Sequence, residues 1–246
     1  MIIFVAKNYT IILKLFYFFY LIVNNQRESC RDSYSKKSLF LVGEISGNDI
    51  FSHITPNLSN FRNLIPLVVN KITETTISLI KEGALEIVIP GNFPVGCSAS
   101  LLAVVNTNNT KNYDEFGCFK AFNTVTQYFY DNLISSITTL RETYPDAKII
   151  YFDYYNDAKR LYEEPQKYGF DKDETFKACC GGGGPHNFDP RMGCGSPNTT
   201  VCSDPSKNIN WDGVHFTEAT YKLLAKGLVE GPFAYPSLKP APFQIA

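Results

Sequence analysis

Near the end of the chain, Asn210-Trp211-Asp212-Gly213-Val214-His215-Phe216-Thr217-Glu218 sets a carboxylate three residues before an imidazole. At that spacing, in a loop leading into a helix, Asp212 can reach one ring nitrogen of His215. It would fix the tautomer and orientation of a general base. The bland alternative is that Asp212 and Thr217 only cap the helix expected over Ala219–Leu228. Further candidate groups are Asn48 in a polar Gly-Asn-Asp loop, Ser46 and Ser98, while His53 and His186 read as solvated or substrate-rim residues.

The chain has 246 residues, enough for one large α/β domain. A net charge of −1 gives no basic stripe for nucleic acid and no acidic tail. Seven cysteines are the informative part of the composition. Cys179, Cys180, Cys194 and Cys202 cluster in a stretch rich in Gly, Pro and Asn, and Cys97 and Cys118 bracket another loop. Sequons begin at Asn57, Asn108 and Asn198. Together they point to a secretory, glycosylating route with loop-stapling disulfides. Zinc is the rival use of cysteines, but no Cys-x2-Cys or His-x3-His pair is present. The pairing is left open, and Cys30 is the expected odd one out.

Residues 1–29 differ in texture from the rest of the chain. Ile11–Val23 is an apolar run interrupted by Lys14 and too short to span a bilayer. Lys7 ahead of it makes a signal-like pattern, yet no small-x-small cleavage site comes after it. A secretory signal, a buried element and non-native sequence from a misassigned start are all open readings.

Three compact apolar runs predict buried parallel strands: Ser38–Val42, Glu86–Ile89 and Lys148–Phe152. Helical spacing predicts helices over Leu64–Lys81, Phe116–Tyr144 and Asp153–Tyr162, with loop at Asn57–Phe61 and a polar loop from Leu101 to Asp114. Lys167–Asn210 is irregular around Gly181-Gly182-Gly183-Gly184-Pro185, and the Pro-rich tail over 232–246 is expected to lie on the surface. The strand–helix alternation predicts an α/β sandwich on a parallel sheet, with fewer strands than such a sheet normally carries.

Four blocks in order carry a resemblance: Gly47-Asn48-Asp49, Gly91-Asn92-Phe93-Pro94-Val95-Gly96-Cys97, Cys179-Cys180-Gly181-Gly182-Gly183-Gly184-Pro185 and Asp212-Gly213-Val214-His215. From about Cys30 to Gly231 the chain resembles plant GDSL esterase/lipases of the SGNH hydrolase superfamily. The resemblance implies a three-layer α/β/α, flavodoxin-like domain over 30–231. It also implies Asp212 and His215 as acid and base of a catalytic triad, and Asn48 as an oxyanion donor. Such a site hydrolyses a small-molecule or lipid ester and requires no metal or organic cofactor. The family's Gly-Asp-Ser-Leu block, which holds the nucleophilic serine, and its oxyanion glycine block are absent here. The resemblance therefore also implies a sheet truncated at its amino-terminal strands and a catalytically silent chain. Ser46 and Ser98 lack the elbow context of a nucleophile, since Ser100 stands where an elbow needs Gly. The alternatives are a secreted binding or regulatory protein that keeps the substrate groove, or a fragment created by a misassigned start.

Overall fold

A computed structural model describes residues 2–5, 35–43, 58–105 and 107–238. The chain falls into two compact units. One comprises Met1–Asn92, Tyr128–Asp153 and Ala234–Ala246, and the other Phe93–Gln127 and Tyr154–Phe233.

The first unit contains a five-stranded sheet. Its strands are β1 (Ile2–Val5), β2 (Leu39–Val42), β3 (Glu86–Pro90), β4 (Lys148–Phe152) and β7 (Ala234–Tyr235). They lie side by side in the order β1-β2-β3-β4-β7. The first four run parallel, in registers that set Ile3 opposite Phe40, Phe40 opposite Ile87, and Ile87 opposite Ile149. Strand β7 is antiparallel to β4. Ile87, Val88, Ile89, Ile149 and Ile150 are all buried, as expected for parallel strands covered on both faces. The α/β class with a mostly parallel sheet is as the sequence predicts.

Two strands are additions to the three predicted. Strand β1 comes from the segment read as divergent. Strand β7 comes from the tail expected to lie on the surface: Ala234 is buried in the sheet and Tyr235 is exposed. Two residues are too few to show a period. What holds β7 is tertiary: Arg141 donates to the carbonyl of Ile149 at 2.9 and 2.8 Å and to that of Tyr235 at 2.6 Å.

Helix α1 (Leu58–Lys81) starts earlier than predicted and takes in part of the stretch read as loop. Pro66 lies inside it and removes a single N–H donor. Burial of Ile65, Val69, Ile72, Thr76 and Leu79 along one face keeps the helix going. Helix α3 (Lys120–Thr143) starts later than predicted. The Asp114 carboxylate accepts the N–H groups of Phe116 and Cys118 at 3.1 and 2.9 Å and ties that stretch into a turn. Phe129, Leu133, Ile137 and Leu140 line the buried stripe of α3 within the first unit.

In the second unit helix α2 (Ala99–Val105) takes in the start of the predicted polar loop, where Leu101 and Leu102 are buried. Its seven residues are too short for a clear helical period, so burial decides its structure. Helix α4 (Tyr154–Glu163) follows β4, and a two-stranded ribbon, β5 (Cys180–Gly181) with β6 (Thr200–Val201), lies within the irregular stretch. Helix α5 (Glu218–Glu230) packs against α4. Gly227 makes their contact possible, because a Cβ there would run into the Asp157 carboxylate. Among the described residues no helix is long and apolar enough to cross a membrane.

Candidate active site

The second unit carries Asp212 and His215. His215 Nδ1 lies 2.7 Å from Asp212 Oδ2, while Asp212 Oδ1 accepts the backbone N–H groups of Val214 at 3.0 Å and His215 at 2.7 Å. A carboxylate only accepts, so Nδ1 carries the proton and Nε2 is the nitrogen that can act as a base. Burial pushes the Asp212 carboxyl up. The hydrogen bonds from the His215 ring and from the N–H groups of His215 and Val214 outweigh it and hold Asp212 below its ordinary value. Asp212 therefore stays ionised beside an imidazole whose side chain is 47% exposed.

The capping alternative is split by residue. Thr217 is the N-cap of α5, its hydroxyl accepting the N–H of Thr220 at 3.3 Å. Asp212 instead closes its own loop. Between them, Phe216 is buried against Phe93 and Tyr154 with ring centroids 5.6 and 6.3 Å away. Gly213 allows the turn: it has φ 88°, and a Cβ would approach Phe188 Cδ2 to 2.6 Å. Its carbonyl accepts the N–H of Ser100 at 3.1 Å.

The stem of the loop is paired twice. Trp211 donates to the His215 carbonyl at 2.8 Å, and Thr217 donates to that of Ile209 at 3.0 Å. On its other side run Cys179 and Cys180, which donate to the carbonyls of Asn210 at 3.0 Å and Trp211 at 2.7 Å. Those cysteines form the disulfides Cys179–Cys202 and Cys180–Cys194, and Cys97 pairs with Cys118. The cysteine clusters are thus disulfide staples, and a pairing the sequence left open is resolved. Cys30 lies outside the described residues.

Asn187 organises the glycine-rich loop. Its side chain donates to the Ala178 carbonyl at 2.8 Å and accepts the N–H of Gly183 at 2.9 Å. It is not among the residues singled out by motif and spacing. An Asn that comes after a run of glycines and tolerates positive φ (46° here) is the signal that could have found it. Of the other candidates, His186 places Nδ1 2.8 Å from the Phe176 carbonyl. The Ser98 hydroxyl is buried and donates to the Val95 carbonyl at 2.8 Å, and buried Ser100 donates to Ser98 at 3.5 Å. Asn48, Ser46 and His53 lie outside the described residues.

The chain matches the model of the GDSL-like lipase/acylhydrolase family over residues 18–228. Two Arabidopsis thaliana proteins named GDSL esterase/lipases are each 44% identical to it. The first aligns over 210 residues, 85% of this chain and 54% of its own length, and the second over 211 residues, 84% and 56%. The chain thus spans about half the length of the curated relatives it matches. With most of its length inside the family model, the chain belongs to the GDSL-like lipase/acylhydrolase family.

Proposed function

We propose that this chain carries the base and its orienter of a carboxylic ester hydrolase site. The observation that supports the reading is the 2.7 Å contact between His215 Nδ1 and Asp212 Oδ2 in a loop that also satisfies the second carboxylate oxygen. In the reaction, His215 Nε2 takes the proton of an attacking hydroxyl and returns it to the leaving alcohol, while Asp212 stabilises the imidazolium. The Asn48 amide donates to the oxyanion, a contribution of about 3–4 kcal/mol where such a donor is preorganised. The working domain is residues 30–231. The substrate is a small-molecule or lipid ester, in a secretory setting supported by three disulfides and exposed sequons at Asn108 and Asn198.

No Gly-Asp-Ser-Leu nucleophile occurs among the 246 residues, and the hydroxyls of Ser98 and Ser100 are buried and engaged. The isolated polypeptide therefore turns over no ester. The test compares this chain with a chimera in which the amino-terminal half of an Arabidopsis thaliana relative precedes residues 30–246. The isolated chain leaves p-nitrophenyl butyrate intact. The chimera hydrolyses it and loses roughly 10³-fold or more of its kcat on His215→Ala. Turnover by the isolated chain that His215→Ala abolishes would overturn the inactivity. A chimera indifferent to His215→Ala would overturn the assignment of the base.

A further inference from the structure

Between the acid–base loop and the rest of its unit stands a residue the hydrolytic reading does not use. Asn210, only 2% exposed, lies two residues before Asp212. Its side-chain oxygen accepts the Tyr162 hydroxyl of α4 at 2.9 Å, and its amide nitrogen donates to the Thr175 carbonyl at 3.0 Å. Its backbone carbonyl accepts the N–H of Cys179, and its backbone bridges to Ala178 on one side and Phe216 on the other. The partners are themselves fixed. Tyr162 is buried and stacked on Phe176 with centroids 5.6 Å apart, and Cys179 is bonded to Cys202.

We propose that Asn210 is the positioning residue of the Asp212–His215 pair, locking the stem of its loop to α4 and to the disulfide-bridged Cys179–Cys180 segment. The proposal rests on the reading of that pair as base and orienter. Asn210 acts by leverage. The Asp212–His215 contact spans only three residues, and it persists only while the stem beside it, where Trp211 donates to the His215 carbonyl, is held in place. Its direction within the unit is set where the loop joins buried structure, and at Asn210 a single carboxamide uses both ends there. Buried amide hydrogen bonds are directional and costly to leave unmade, which makes such a group a stiff anchor. Burial also pushes the Tyr162 phenol well above its ordinary value, so it remains a neutral donor.

The test reads the tautomer of His215 and needs no turnover. Long-range ¹H–¹⁵N NMR correlations report which ring nitrogen carries the proton, measured at a pH where the imidazole is neutral. In the unsubstituted chain the proton sits on Nδ1. Asn210→Ala loses most of that preference, and Tyr162→Phe, which keeps the ring and removes one hydrogen bond, loses part of it. The control is Asn123→Ala, a buried asparagine of the same unit whose side chain accepts the N–H of Gly96 at 2.9 Å. It lowers the melting temperature and leaves the tautomer alone. An unchanged tautomer in Asn210→Ala overturns the proposal, as does an equal loss in Asn123→Ala. Should Asn210→Ala fail to fold, Tyr162→Phe decides, and an unchanged tautomer there overturns the proposal. Absence of the Nδ1 proton in the unsubstituted chain would instead overturn the acid–base reading itself.

Discussion

Strands β3 and β4 bury Ile87, Val88, Ile89, Ile149 and Ile150 almost completely. Between Gly182 and Lys207, by contrast, no residue is fully buried. The first region is ordered by apolar area removed from water, which needs only the right side chains in a period. The second has little such area. It is ordered by two disulfides, by an asparagine inside a glycine loop, and by a peptide hydrogen-bonded to the stem of the acid–base loop. The contrast teaches that a stretch left exposed to solvent can be made rigid by covalent and polar bonds instead of a core.

The largest way to break this contrast is reduction. The three disulfides among the described residues all lie in the second unit, with sequence separations of 21, 23 and 14 residues. Loop-closure entropy assigns roughly 3 kcal/mol to each. Under a strong reductant, hydrogen-exchange protection is expected to fall across Phe93–Gln127 and Tyr154–Phe233 and to persist in β3 and β4. Equal loss in the sheet would show that the two regions are not ordered separately.

A smaller effect is expected from Ile150→Ala, which opens a cavity in the sheet and costs about 2–5 kcal/mol. Denaturant midpoints should drop by the same amount with and without reductant. A cost that disappears on reduction would mean that the sheet depends on the stapled region.

Acid gives the smallest effect and belongs to the loop. The folded-state value of Asp212 lies below its ordinary one, so its contribution to stability is fully present above about pH 4. It is lost as pH falls through the depressed value. The stability difference between the unsubstituted chain and Asp212→Asn should therefore shrink as pH falls below about 4 and through the depressed value, as urea midpoints would record. A difference constant over that range would refute the role given to the carboxylate.

The pattern of legibility follows the same division. Lys148–Phe152 could be read residue for residue because a buried parallel strand is a bare run of apolar side chains. Helix α2 could not, since seven residues carry too short a period, and β7 could not, since it depends on Arg141 reaching across from α3. In the site, Asp212 and His215 were visible because their contact is local. Asn187 and Asn210 were not, because all of their side-chain partners named above except Gly183 stand 9 to 48 residues away.

By itself the sequence determined the α/β class, the helical faces, the cysteine-rich loop and the pairing of Asp212 with His215, all features with short-range signatures. Only the tertiary structure decided the cysteine pairing, the end strands of the sheet and the capping of α5 by Thr217 alone. It also decided the anchoring of Asn210 to Tyr162 and Thr175. Those are choices among chain segments far apart in sequence, and side-chain type does not record them. What selects among them is the cost of leaving buried polar groups without partners once the chain has condensed.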